Sequence, residues 1–228
     1  MTRKSKSLQL QPELSLAVRK QLKTETRRSV TWPRNLQPLV PDWDAATVDP
    51  GFGDGAYLKV PCTHPEDPPG EGRVERVRCR YVVGDELYVQ EPLIKLTRHL
   101  GDMAGDYAVY QADRDPVMVR NERLGDRQWV WSWQRSYLPA RFCPKAASRT
   151  RLRVTAVEPQ RLQDITWVAI RAEGLSCPEH DFAGGFCTSE CLALREAFRE
   201  LWNRLHGSGA WERNEWVWRI AFELLRKR

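Results

Sequence analysis

The hydrophobic pattern changes period several times along the chain, and each change predicts an element. Leu14, Ala17, Val18 and Leu22 recur at helical spacing behind Pro12, a residue suited to a first turn. They predict a helix over 12–22, closed by the segment LKTETRR. ELYVQEP alternates instead. Leu87, Val89 and Glu91 fall on one strand face and Tyr88 and Gln90 on the other, so a carboxylate shares the apolar side. Strand patterns also occupy GDYAVYQAD at 105–113, RTRLRVTAVEPQRL at 149–162 and EWVWRIAFELL at 215–225, and RQWVWSW reads as strand or extended. Thr166 is placed to cap a short helix that Gly174 stops. Ser189 is placed to cap a longer one with Leu194, Phe198, Leu201, Trp202 and Leu205 on its buried face and Gly207 at its end.

Between these elements, 33–76 is rich in Pro, Gly and Asp. It reads as a long irregular insertion with a short hairpin around Tyr57 to Val60. The N-terminal residues read as disordered. Strands with intervening helices and no βαβ rhythm argue for an α+β fold, a small barrel with peripheral helices. The length of 228 residues suits one domain carrying insertions.

Composition then narrows the function classes. With 41% hydrophobic and 29% charged residues the chain is ordinary globular. It has no membrane-length apolar run and no visible secretory signal, so a cytoplasmic protein without a membrane partner is expected. The net charge is +6. Residues 1–28 hold Arg3, Lys4, Lys6, Arg19, Lys20, Lys23, Arg27 and Arg28 against Glu13 and Glu25, which equals the whole excess. Residues 134–153 carry Arg141, Arg149 and Arg151 among six cations and no acid. Clustered charge of this kind favours polyanions, above all nucleic acid. Most of the ten tryptophans are expected in the core, with one or two free to stack on a base.

Four metal-type ligands gather at 176–191: Cys177, His180, Cys187 and Cys191, spaced C-x2-H-x6-C-x3-C around Gly184 and Gly185. Two chelating pairs on a flexible loop can supply the tetrahedral N/S set of a structural zinc, although the spacing matches no standard finger. The competing expectation is a surface insertion with free thiols.

In order along the chain stand KTETRR, GDELYVQEP, YQAD, W-x-W followed by SYLP, ASR before a strand, LQDIT with RAEGL, and LWNRLHG before NEWVW. This series resembles the ASCH-domain proteins of the PUA-like superfamily, in the long form common in bacteria and their phages. The resemblance covers most of the chain outside 33–76 and 176–191. It implies a PUA-like small β-barrel with a cleft, and a partner that is RNA or a modified base. Small ASCH proteins include amidohydrolases of N4-acetylcytidine, and others are linked to RNA cleavage. The amidohydrolase residues fall on Lys23, Thr26 and Glu91, with Arg27 as a basic neighbour. One departure is Gln21-Leu22, where the long forms carry Gly-Arg before the lysine.

Two functions follow. As an enzyme, Lys23 and Thr26, three apart on a helical turn, would meet Glu91 from the barrel to hydrolyse an N-acylated nucleoside. As a non-catalytic module, the chain would read RNA or single-stranded nucleic acid, with Arg27, Arg28, Arg141, Arg149 and Arg151 on phosphates. A plain ion pair tying Lys23 to Glu91 would use the same residues.

Overall fold

The computed structural model describes residues 5–49, 55–68, 71–100, 103–119, 127–177 and 191–225. In chain order the elements are β1 (Lys6–Gln9), α1 (Pro12–Arg19), β2 (Glu25–Ser29), β3 (Val40–Pro41), β4 (Thr47–Asp49), β5 (Tyr57–Thr63) and β6 (Arg73–Arg78). There follow β7 (Glu86–Gln90), β8 (Leu93–Leu100), β9 (Met103–Tyr110), β10 (Met118–Val119), β11 (Arg127–Gln128) and β12 (Tyr137–Leu138). The last are β13 (Arg151–Arg161), α2 (Trp167–Ala172), α3 (Leu192–His206) and β14 (Trp216–Leu224). The protein is α+β, with most strands in antiparallel or mixed sheets and few helices. Among the described residues no sheet closes into a barrel. None of their helices is long and apolar enough to cross a membrane.

The chain divides into two compact units. The first comprises Met1–Lys23, Asp85–Arg153 and Glu223–Arg228. In it β7 lies between β1, which runs parallel, and the start of β13, which runs antiparallel. Lys6–Gln9, in the stretch expected to be disordered, therefore form a strand, and residues 1–4 lie outside the described residues. Leu8 is fully buried opposite Val89, and Lys6 Nζ lies 2.6 Å from the buried Asp85 carboxylate. An antiparallel β12–β8–β9 sheet packs Leu93, Ala108, Tyr110, Trp131 and Leu138 into one core. The β8 strand was not anticipated: its residues LIKLTRHL lack a clean alternation, and pairing with β9 along its length forms it instead.

Helix α1 ends at Arg19, a turn short of the predicted 12–22. Gln21 adopts φ 59, and the amides of Leu22 and Lys23 both turn back to the Ala17 carbonyl, at 2.8 and 3.1 Å. Leu22 is consequently 61% exposed instead of completing the buried stripe.

The second unit comprises Thr24–Gly84 and Val154–Phe222. Its sheet runs β13–β14–β2, with β2 antiparallel to β14. Within 33–76, expected to be irregular apart from a short hairpin, the described residues include four paired strands. β5 pairs with β6 on one edge and with β3 and β4 on the other. Leu58, Val60 and Cys62 point inward at alternate positions, and that burial stabilises the hairpin despite Pro61. Helices α2 and α3 form a core with Ile165, Ile170, Leu194, Phe198, Trp202 and Trp211. Thr166 caps α2 as expected, its Oγ1 accepting from the Ala169 amide at 3.3 Å. Ser189, the expected cap of α3, lies outside the described residues.

Candidate functional site

LKTETRR does not continue as a helical turn. After Lys23 the chain enters β2, so successive side chains alternate between two faces. Thr26 pairs across to Ile220 and Arg28 to Trp218, whereas Glu25 pairs to Ala221 and Arg27 to Arg219. Residues directly opposite in an antiparallel pair share a face. Thr26, Arg28, Trp218 and Ile220 therefore occupy one side of the ribbon, and Glu25, Arg27 and Arg219 the other.

The second side is an ion network. Arg27, 1% exposed, donates to Glu173 at 3.0 Å and to Glu25 at 3.3 Å. Arg219 binds Glu25 and also Glu158, the latter at 2.8 Å. Burial opposes ionisation of Glu25, but the Arg219 and Arg27 guanidinium groups outweigh it and hold the carboxyl below its ordinary value. Arg27 thus meets carboxylates, with both ends of its fork engaged inside the protein.

The first side opens into a cavity of about 200 Å³. Arg28, Ser29, Thr31, Arg78, Arg80 and Tyr81 line it, over a floor that includes Cys79, Trp218 and Ile220. Desolvation pulls the Arg28 guanidinium below its ordinary value, with Tyr81 and Glu173 acting in the opposite direction. It remains a cation at neutral pH. Arg78 and Arg80 come from the end of β6 and the residues after it, where the period is two: Val77, Cys79 and Tyr81 are buried, and Arg76, Arg78 and Arg80 exposed. Sequence reasoning missed this pair. The signal was present in RVERVRCRY, a third basic stretch with four arginines and one acid.

In the first unit, Glu91 follows β7 and is 1% exposed; Lys23 is 2% exposed. Arg149 Nε donates to Glu91 Oε1 at 3.0 Å and Arg149 Nη2 to Oε2 at 2.8 Å. The Ser15 hydroxyl of α1 lies 3.0 Å from Oε2 and 2.8 Å from the Pro12 carbonyl, so its one hydrogen serves one or the other. Arg149 also reaches Asp113 at 2.8 Å and Asp115 at 3.1 Å, and Arg19 shares both acids. The guanidinium lies over the Tyr110 ring, 3.8 Å from its centroid. Burial pushes the Tyr110 phenol well above its ordinary range, and its hydroxyl donates to the Ala147 carbonyl at 2.5 Å. Two further bonds hold the basic 143–150 segment against β7: Gln90 Nε2 to the Cys143 carbonyl at 2.8 Å, and Ser148 Oγ to the Val89 carbonyl at 2.8 Å. Arg149 is thus turned inward to Glu91. Arg141 lies on a 3-10 turn beside Phe142, and Arg151 is exposed on β13.

No protein-family description, no curated protein and no solved structure matches this chain.

Of the four expected metal ligands, Cys177 and Cys191 are described, and His180 and Cys187 lie outside the described residues. Among the described residues no group of three or more His, Cys, Asp or Glu stands where it could hold a metal ion.

Chemically, the cavity offers cations and hydroxyls around an apolar floor, which suits an anion attached to something flat or apolar. Its volume is below the range typical of sites that enclose a whole drug-sized ligand, ~300–1,000 Å³, so it suits one phosphate or one base of a larger molecule. The Glu91 carboxylate has both oxygens committed to a guanidinium.

Proposed function

We propose that the protein is a PUA-like, ASCH-type nucleic-acid-binding module that holds single-stranded nucleic acid by its phosphates and by one base. The observation that carries this reading is the cavity lined by Arg28, Arg78 and Arg80. Three guanidinium groups supply planar donors matched to phosphate oxygens. The Thr31 hydroxyl adds a neutral donor, and the Trp218 and Tyr81 rings give the apolar surface a base prefers. RNA and DNA of this kind reach the site through backbone charge, so affinity falls steeply with salt. The test is fluorescence anisotropy of labelled single-stranded RNA and DNA oligonucleotides over a salt series. Binding that weakens with salt and drops on Arg28→Ala supports the proposal. Affinity unchanged in Arg28→Ala and Arg80→Ala ends it.

A second reading is hydrolysis of an N4-acetylcytidine-like nucleoside by Lys23 and Glu91. The burial of Lys23 and Glu91 within one unit favours it. A desolvated lysine is suited to base or electrophilic chemistry. The bidentate hold of Arg149 on Glu91 weighs against it, because a carboxyl that passes a proton to a leaving amine must first be released. Incubation with N4-acetylcytidine separates the two. Product formation lost in Lys23→Ala and Glu91→Ala, with the fold intact, supports hydrolysis, and absence of product with intact oligonucleotide binding supports the module alone.

A further inference from the structure

Cys177 and Cys191, 14 residues apart in the chain, bring their Sγ atoms to 3.3 Å. Cys177 follows α2, and Cys191 is the residue that caps α3. Both are buried, at 0% and 9% exposure, in the core that joins these two helices. The separation is far beyond the ~2.05 Å of a disulfide bond. Tetrahedral zinc with bonds of ~2.3 Å spaces two sulfurs about 3.8 Å apart, so a relaxation of roughly 0.5 Å suffices for both to share one ion. Cys191 also sits at the N-terminus of a 15-residue helix, where aligned peptide dipoles favour negative charge. A second, independent observation comes from the sequence. Two more soft donors fall between these cysteines, His180 three residues after the first and Cys187 four before the second.

We propose that Cys177 and Cys191 are two thiolate ligands of a structural zinc site that ties the exit of α2 to the start of α3. The ion lies apart from the basic cavity in the sequence elements it uses, and its role is to hold the α2–α3 core together. Each thiol loses its proton on binding, as zinc–thiolate chemistry requires.

The test uses the full chain, purified under reducing conditions without chelator. Elemental analysis is expected to give about one zinc per chain. Replacement with cobalt(II) is expected to give the sulfur-to-cobalt charge-transfer bands of a tetrahedral thiolate site. Iodoacetamide labelling read by peptide mass is expected to spare Cys177 and Cys191 until a chelator strips the metal. Cys191→Ser is expected to lose most of the zinc, and Cys191→His, which keeps a zinc donor, to retain it. The labelling arm needs no variant and decides the matter even where substitution unfolds the chain. The proposal is overturned by a chain that neither carries nor takes up zinc, by labelling of the two thiols that a chelator does not change, or by a Cys177–Cys191 disulfide in the metal-free protein.

Discussion

Arg149 grips Glu91 through both carboxylate oxygens, at 3.0 and 2.8 Å, with 1% of the Glu91 side chain and 10% of the Arg149 side chain exposed. In so dry a setting each charge depends on the other. Arg149→Met leaves a carboxylate buried without its partner, a change expected to cost about 3–5 kcal/mol. The double variant Arg149→Met/Glu91→Leu is expected to recover much of that loss, because no orphaned charge remains. Arg149→Lys is expected to rescue poorly, since an ammonium does not match the two-point fork. Urea denaturation of these variants and of Glu91→Leu alone measures this, and additive losses in the double variant would contradict the coupling.

Acid stability has a defined source. Glu25 and Asp113 are each held below their ordinary values of 4.5 and 3.8. Burial works against both shifts, and it is outweighed by Arg219 and Arg27 at Glu25 and by Arg149 and Arg19 at Asp113. A carboxyl whose folded value is depressed adds stability that is present above its unfolded value and is lost as pH falls through the folded one. Stability is therefore expected to decline below the ordinary carboxylate range rather than above it. Glu25→Gln is expected to start lower and to lose less on acidification. Thermal melting between pH 7 and pH 3 reads both slopes.

The basic cavity predicts a change in salt dependence. Each arginine that meets a phosphate of a single strand contributes roughly 0.7 to the slope of log affinity against log salt. Arg80→Ala is expected to lower the slope by about that amount and to weaken RNA binding without loss of stability, because the side chain is exposed. Arg27→Ala, a substitution in the buried network, is expected to lower the melting temperature instead. Anisotropy titrations and melting curves on the same two variants give opposite signatures.

Helix and hairpin can be told apart by truncation. Leu58 is fully buried on β5, and Leu22 is 61% exposed after the helix ends. Leu58→Ala is expected to cost about 2–5 kcal/mol. Leu22→Ala is expected to stay within about 0.5 kcal/mol. Chemical denaturation of the two variants, with comparable costs as the contrary result, checks both the hairpin and the early end of α1.

Much of the element order was legible because it rests on local periodicity. The alternation of Trp216, Trp218, Ile220 and Phe222, and the cap at Thr166, needed no distant partner. The strand β1 was not legible. Four residues, KSLQ, become a strand only through parallel pairing with β7, and no sequence window contains that partner. The end of α1 was missed because its apolar spacing runs on through Leu22, while the positive φ of Gln21, a residue with no special liking for that conformation, reverses the chain. At the candidate site, the carboxylate on the apolar face at Glu91 was visible from parity. Its clamp by Arg149 was not, since 58 residues separate the two. Arg78 and Arg80 were overlooked because they belong to neither of the two longer basic stretches, 1–28 and 134–153.

Arg27 and Arg28 are neighbours in the chain and serve opposite sides of one ribbon. The division is set by counting, since a strand slipped by one residue turns every side chain over. Gaining or losing a single amino acid between Thr24 and Ser29 would send Arg28 into the carboxylates and Arg27 into the open cavity. Exchanges of side chain in this stretch are graded in effect, whereas changes of length act at once on both. The segment is therefore expected to tolerate exchange of one side chain better than a change in its length.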